Sequence, residues 1–192
     1  MYDAILSAVA RHIQLTPSET QIFQSVLVHR KFRKRQYVVQ AGDVCRYENF
    51  VVKGVLRAYS VNAEGKEHIV MFAMEGWWIS DLYSFLTSTP ATLNIDVLED
   101  CDILSIEKPA LVKLYEQVPK FDRLFRVLLQ NAFIAQQQRI LGTISQTVEE
   151  RYEEFIRKYP LLEQRIPQHQ VASFIGTTPE TLSRIRKQAA KA

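Results

Sequence analysis

Cysteine is scarce: the 192-residue chain carries only Cys45 and Cys101. Two thiols cannot build a disulfide framework or a Cys-rich metal site. Six glycines and seven prolines exclude a collagen-like or low-complexity chain. Apolar runs stop after a few residues, far short of the ~20 that a membrane span requires. The opening Met1-Tyr2-Asp3-Ala4-Ile5 has neither the basic region nor the apolar run of a signal peptide, so a cytoplasmic location is expected and membrane attachment is not.

What is present suits a folded protein, with 47% hydrophobic and 23% charged residues. The net charge is +3, and its placement matters more than its size. Residues 1–138 balance 15 Lys/Arg against 15 Asp/Glu, whereas residues 139–192 hold 9 against 6. Within 164–192 stand Arg165, Arg184, Arg186, Lys187 and Lys191, opposed only by Glu180. A basic end on a neutral body is compatible with nucleic-acid contact and equally with a solvated tail.

Three zones follow one another. Thr16-Pro17-Ser18-Glu19 is a capping box that opens a helix with Ile22, Phe23 and Val26 on one side. In Arg30-Lys31-Phe32-Arg33-Lys34-Arg35 five of six residues are basic, and the run leads into Tyr37-Val38-Val39. A sheet edge kept soluble by charge is favoured there over a nucleic-acid patch. From Tyr37 to Ile106 short strands alternate with turns at Gly42-Asp43, Gly54, Asn62 to Lys66 and Glu75-Gly76, as in a β-roll. Ile79 to Leu86 breaks the rhythm with helical spacing, capped by Ser80 or Asp81.

After Pro109 only helical patterns remain. The longest runs from Phe121 to about Ser145 with a wide apolar stripe. Such a helix needs partners, expected to be its own β domain on one face and a second copy of itself on another.

Residues 166–188 carry the most information. Val171, Ala172 and Ile175 face inward from one short helix, and Leu182 and Ile185 from the next. Gly176 supplies the turn, Thr178 caps the second helix and Pro179 starts it. This is helix-turn-helix spacing. Glu180 and Arg184 lie four apart on the outer face, where Arg can read guanine and Glu can read cytosine, or the two can pair with each other. His169, Thr178, Thr181, Ser183 and Arg186 are placed to reach phosphates of double-stranded DNA.

Taken in order, these motifs resemble the Crp/Fnr superfamily of transcription regulators. The likeness runs through Gly42-Asp43, Asn49 to Gly54, Asn62 to Glu67, the stretch Gly76 to Cys101 that aligns with the phosphate-binding cassette, and Thr177 to Ile185. It implies an α+β architecture. Residues 1–118 form a β-roll (double-stranded β-helix) sensor of the cyclic nucleotide-binding type. Residues 119–145 form a long dimerisation helix, and residues 146–192 the DNA-binding domain. It further implies a homodimer through residues 121–145, a palindromic operator, contact with RNA polymerase, and no enzymatic activity. The chain stops seven residues past Ile185, so either a form without the β-hairpin wing of longer members or a shortened chain is expected.

The ligand positions depart from the pattern. Where relatives place a glutamate for the ribose hydroxyl this chain has Asp81, preceded by Ser80 and followed by Leu82. Where they place an Arg-Ser pair for the phosphate it has Ala91 and Thr92. Losing the arginine removes the charge-assisted fork that phosphate recognition depends on, which argues against cyclic AMP. Gln136 and Gln137 occupy the helix positions that face the base in relatives. The expectation is a small-molecule effector in the roll, or none, held between Ser80–Leu82, Thr92 and Gln136–Gln137. Two separated cysteines cannot hold an iron–sulfur cluster. A cupin-type metal enzyme, which also uses a β-roll, would need histidines converging on one cavity, but His12, His29, His68 and His169 are scattered and only His68 lies in the roll. A remaining alternative is a ligand-binding roll whose helix-turn-helix contacts only protein.

Overall fold

The computed structural model describes residues 2–189. Two helices lead, α1 (Asp3–Ala10) and α2 (Pro17–Ser25). The roll follows as β1 (Leu27–Phe32), β2 (Tyr37–Val39), β3 (Tyr47–Lys53), β4 (Leu56–Val61), β5 (Glu67–Ala73), β6 (Trp78–Ile79), α3 (Leu82–Thr87), β7 (Asn94–Val97) and β8 (Cys101–Glu107). Helices close the chain: α4 (Lys108–Gln117), α5 (Lys120–Ser145), α6 (Val148–Lys158), α7 (Pro160–Glu163), α8 (Gln168–Ile175) and α9 (Pro179–Ala189).

The strands form two antiparallel four-stranded sheets, ordered β1-β8-β3-β6 and β2-β7-β4-β5. Strands and helices are segregated along the chain, which makes the fold α+β. The Thr16 capping box forms in full, the Thr16 hydroxyl accepting from the Glu19 amide while the Glu19 carboxylate accepts from the Thr16 amide. Helix α1 has no local signal in the sequence. No side-chain bond caps its first turn at Tyr2, and burial of Ile5 and Val9 holds it in place instead.

The basic run is displaced from its expected place. Arg30, Lys31 and Phe32 end strand β1, ahead of the turn that leads to β2. The edge reading holds, since β1 pairs only with β8, from Leu27 opposite Ile106 to Phe32 opposite Cys101. Arg30 spends its charge over the rings of Phe32 and Tyr47, at 4.8 and 5.0 Å.

Two cores result. The first fills the roll and takes in the start of α5, where Phe121 stacks on Phe23 with ring centroids 4.5 Å apart. Trp78 and Tyr115 then pack edge-on against Phe125. The second core joins the outer face of the β4–β5 ribbon to the C-terminal helices. Val55, Tyr59, Ile69 and Phe72 bury against Phe155, Leu162, Val171 and Leu182 among others. The described part of the C-terminal domain, residues 146–189, therefore shares a core with the roll.

Candidate nucleic-acid interface

The bihelical unit forms as its sequence requires. Gly176 sits at φ +74°, in the left-handed region that favours glycine, and the Thr177 amide reaches back to the Ala172 carbonyl at 2.9 Å. Ala172 and Leu182 are fully buried, and Val171, Ile175 and Ile185 nearly so. The Thr178 hydroxyl accepts from the Thr181 amide at 3.3 Å and donates to the Thr181 hydroxyl at 3.2 Å. Pro179 then begins α9. Both threonine hydroxyls thus serve the cap first.

Outward from that frame, Glu180 and Arg184 are exposed, as are His169 and Lys187; Ser183 is half-buried. Among the described residues no ion pair joins Glu180 to Arg184, so the expected intrahelical pair does not form. Glu180 instead turns to the helix start. Its own backbone amide and the Thr178 hydroxyl draw its carboxyl below the usual range. Among the described residues Arg184 has no ion-pair partner and stands exposed on the outer face.

Two other basic groups are taken. Arg186 pairs with Glu163 at 3.0 Å, tying α9 to α7, so the expected phosphate contact competes with an internal partner. Arg165 does not serve the nucleic-acid face at all. It binds Glu75 and Glu99, in the two turns at one end of the roll, through four charge-assisted hydrogen bonds of 2.6 to 3.0 Å. Lys191 lies outside the described residues.

The cassette corrects the ligand reading. Asp81, not Ser80, caps α3, accepting from the Ser84 amide at 3.0 Å. Its other oxygen accepts from the amides of Thr92 and Leu93 at 2.9 and 3.0 Å. Asp81 is buried and both of its oxygens are engaged by the chain's own amides, so it points into the cassette rather than toward a ribose hydroxyl. Equally, the amides of Thr92 and Leu93 already hold an anion, the chain's own carboxylate. Ser80 donates to buried Glu48 at 2.8 Å. Ala91 is buried, its backbone paired with Gly42 and Asp43, and Leu82 is partly exposed at the start of α3.

A larger cavity than any at the cassette lies elsewhere among the described residues. It measures about 510 Å³ and opens between the β5–β6 turn, α5 and the C-terminal helices. Of the expected ligand residues only Gln136 lines it; Ser80, Asp81, Leu82, Ala91, Thr92 and Gln137 do not. The glutamines follow helix phase, and Gln138 rather than Gln137 turns to the cavity beside Arg139.

Both cysteines are buried. Burial raises the Cys45 thiol and pushes that of Cys101 up to about 12, which opposes a thiol switch. Among the described residues no helix is long and apolar enough to cross a membrane.

Comparison with known proteins agrees with this architecture. Residues 29–118 match the cyclic nucleotide-binding domain family. The fumarate and nitrate reduction regulatory protein of Vibrio cholerae serotype O1 is 24% identical over 197 residues, covering 95% of this chain and 77% of its own. The regulatory protein HlyX of Actinobacillus pleuropneumoniae is 25% identical, covering 90% of this chain and 77% of its own. The structure of FixK2 from Bradyrhizobium japonicum superposes with a TM-score of 0.76 at 17% identity, over 86% of this chain and 85% of that one. The global regulator CLP of Xanthomonas campestris gives a TM-score of 0.73 at 15% identity, over 92% of each chain. This chain therefore has the fold of these regulators, a roll, a long helix and a bihelical end in one order, and its residues 29–118 are similar to the cyclic nucleotide-binding domain family.

Proposed function

We infer that this protein is a DNA-binding transcription regulator that acts as a homodimer on a palindromic operator. The observation that carries the reading is the pose of α9. Leu182 and Ile185 anchor one side while Arg184 stands exposed on the other, beside the exposed Glu180. A helix held by its apolar side and led by such residues suits the major groove. In this reading residues 1–118 are the sensor, 119–145 the dimerisation helix and 146–192 the reader. Its cytoplasmic location follows from that role.

The dimer reading rests on α5. Leu129, Phe133, Ile140 and Ile144 are 43%, 70%, 59% and 77% exposed. Their steps of four, seven and four residues keep them on one seam, with Gln136 and Gln137 between Phe133 and Ile140. The opposite, inward face holds Phe121 and Leu124 in the roll's core. An exposed apolar seam on a long helix suits a second copy of the same helix. Two subunits would present α9 to half-sites about 34 Å apart.

Cyclic AMP is not part of this reading, because Asp81 fills the cassette donors and Ala91 stands where an arginine would be needed. The alternative, a helix-turn-helix used only for protein contact, leaves the exposed Arg184 without a role.

The test is selection from a randomised duplex pool, followed by fluorescence anisotropy and sedimentation velocity. Two chains per palindromic duplex, with affinity falling steeply as salt rises, is the expected result. Salt-independent retention, or one chain per duplex, overturns it.

A further inference from the structure

The junction cavity has a composition that the DNA-reading role does not call for. Its walls are mostly apolar and include Trp77, Phe155, Tyr159 and Phe174. Arg139, Arg151 and Lys158 are the basic residues lining it, against the single acid Glu154. About 510 Å³ is ample for a small organic molecule.

Its two arginines are under-used. Arg139 donates Nη1 to the Val70 carbonyl at 2.6 Å and lies 4.8 Å from the Phe174 ring centroid. Among the described residues no carboxylate pairs with it, and the Val70 carbonyl is its one hydrogen-bond acceptor. Burial accordingly pulls its pKa down. Arg151 gives Nη1 to the carbonyls of Thr143 and Gln146, and its Nε is buried without a partner. Elsewhere the same unit pairs its cations closely, as at Arg165 and Arg186. A half-buried guanidinium beside aromatic walls, with no paired carboxylate, is a costly arrangement that an incoming anion relieves.

We propose that this cavity binds a small amphipathic anion, an aromatic or branched apolar body bearing one carboxylate or sulfonate, with the charge on Arg139 and the apolar body against Trp77, Phe155 and Tyr159. Such a ligand bridges the roll, α5 and the helices that carry α8 and α9. Its binding energy is therefore coupled to the pose of the reading helix. That consequence rests on the regulator reading; the binding itself does not.

The protein contains its own probe, because Trp77 and Trp78 are its only tryptophans and both line the cavity. The full chain is titrated with 8-anilinonaphthalene-1-sulfonate and, separately, with N-phenyl-1-naphthylamine, which has the same ring body without the anion. Tryptophan quenching is the readout. The expected result is saturable quenching at one probe per chain, with the anionic probe bound about tenfold or more tightly. Arg139→Gln should remove that preference and leave the neutral probe within about twofold. Ala135→Trp, read by probe fluorescence, should fill the space and abolish both, with circular dichroism confirming the fold.

Absence of saturable quenching overturns the proposal, as does equal affinity for the two probes in the unmodified chain. So does binding that survives Ala135→Trp but is lost in Phe133→Arg, which would put the probe on the α5 seam. Anisotropy of a labelled duplex without probe is run alongside. DNA binding with no probe binding defeats only this proposal, and the reverse defeats only the regulator reading.

Discussion

Arg165 grips Glu75 with both arms of its guanidinium, Nη1 to one carboxylate oxygen at 2.7 Å and Nη2 to the other at 2.9 Å. The same Arg165 forks onto Glu99. It stands between α7 and α8, and its partners stand in the β5–β6 and β7–β8 turns. One side chain thus clamps the bihelical unit to the end of the roll. Nearby, the Ser173 hydroxyl accepts from the Ile69 amide at 3.0 Å and donates to the Glu67 carbonyl at 3.2 Å, covering the free edge of β5.

Arg165→Ala should loosen the unit without unfolding the roll. The groups are partly exposed, so screening limits the loss to about 1–2 kcal/mol. The change has a pH signature. Arg165 holds the Glu75 carboxyl down at about 2. A depressed carboxyl contributes stability above its unfolded pKa, here the usual value near 4.5, and loses it as pH falls toward 2. Urea midpoints from pH 7 to pH 3 should show this acid limb in the unmodified chain and a flatter one in the variant, with faster proteolysis between α6 and α9.

Arg184 and Arg186 should separate cleanly. Arg184→Ala should cost about 1–3 kcal/mol on the selected operator and relax sequence preference, with little change in melting temperature. Arg186→Ala releases the tie to Glu163, so its main effect should appear in thermal unfolding. Anisotropy and scanning calorimetry on both variants check the pair, and a reversed pattern would reassign their roles.

Glu48 makes the roll's stability pH-dependent in the opposite sense. Its buried carboxyl is pushed up to about 7 by burial, only partly opposed by the hydrogen bond from Ser80. A raised carboxyl contributes stability in full below its unfolded pKa near 4.5 and loses it as pH rises through about 7. Glu48→Gln keeps an acceptor for Ser80 and removes the charge. It should stabilise the protein at pH 8 by up to about 3 kcal/mol and change little at pH 4.5. Denaturation curves at the two pH values decide it.

Gly54 and Cys101 form a tight pair. Gly54 has φ +101°, and a Cβ there would meet the Asp100 carbonyl oxygen at 2.9 Å and the Cys101 thiol. Gly54→Ala should cost about 2–4 kcal/mol, through strain and overpacking together. In the folded protein Cys101 should resist a disulfide reagent at pH 8 and react once denaturant is added. Reaction at the rate of a free thiol without denaturant would show that its burial is transient.

Features set by near neighbours are legible in the sequence. The Thr16 and Thr178 caps, the Gly176 turn and the inward set from Val171 to Ile185 depend on partners within a few residues, and the same short-range physics operates before the chain folds. Strand rhythm and the α5 stripe are likewise periodic properties of neighbours. The fate of individual charges was not legible, because it is decided by residues distant in the chain. Asp81 looks available until Thr92 and Leu93, 11 and 12 residues on, bring their amides to it. Arg165 looks like part of a basic tail until Glu75, 90 residues earlier, arrives beside it. The junction cavity belongs to no single segment. It exists because the roll, α5 and the C-terminal helices meet at an angle that apolar burial sets and no local pattern encodes.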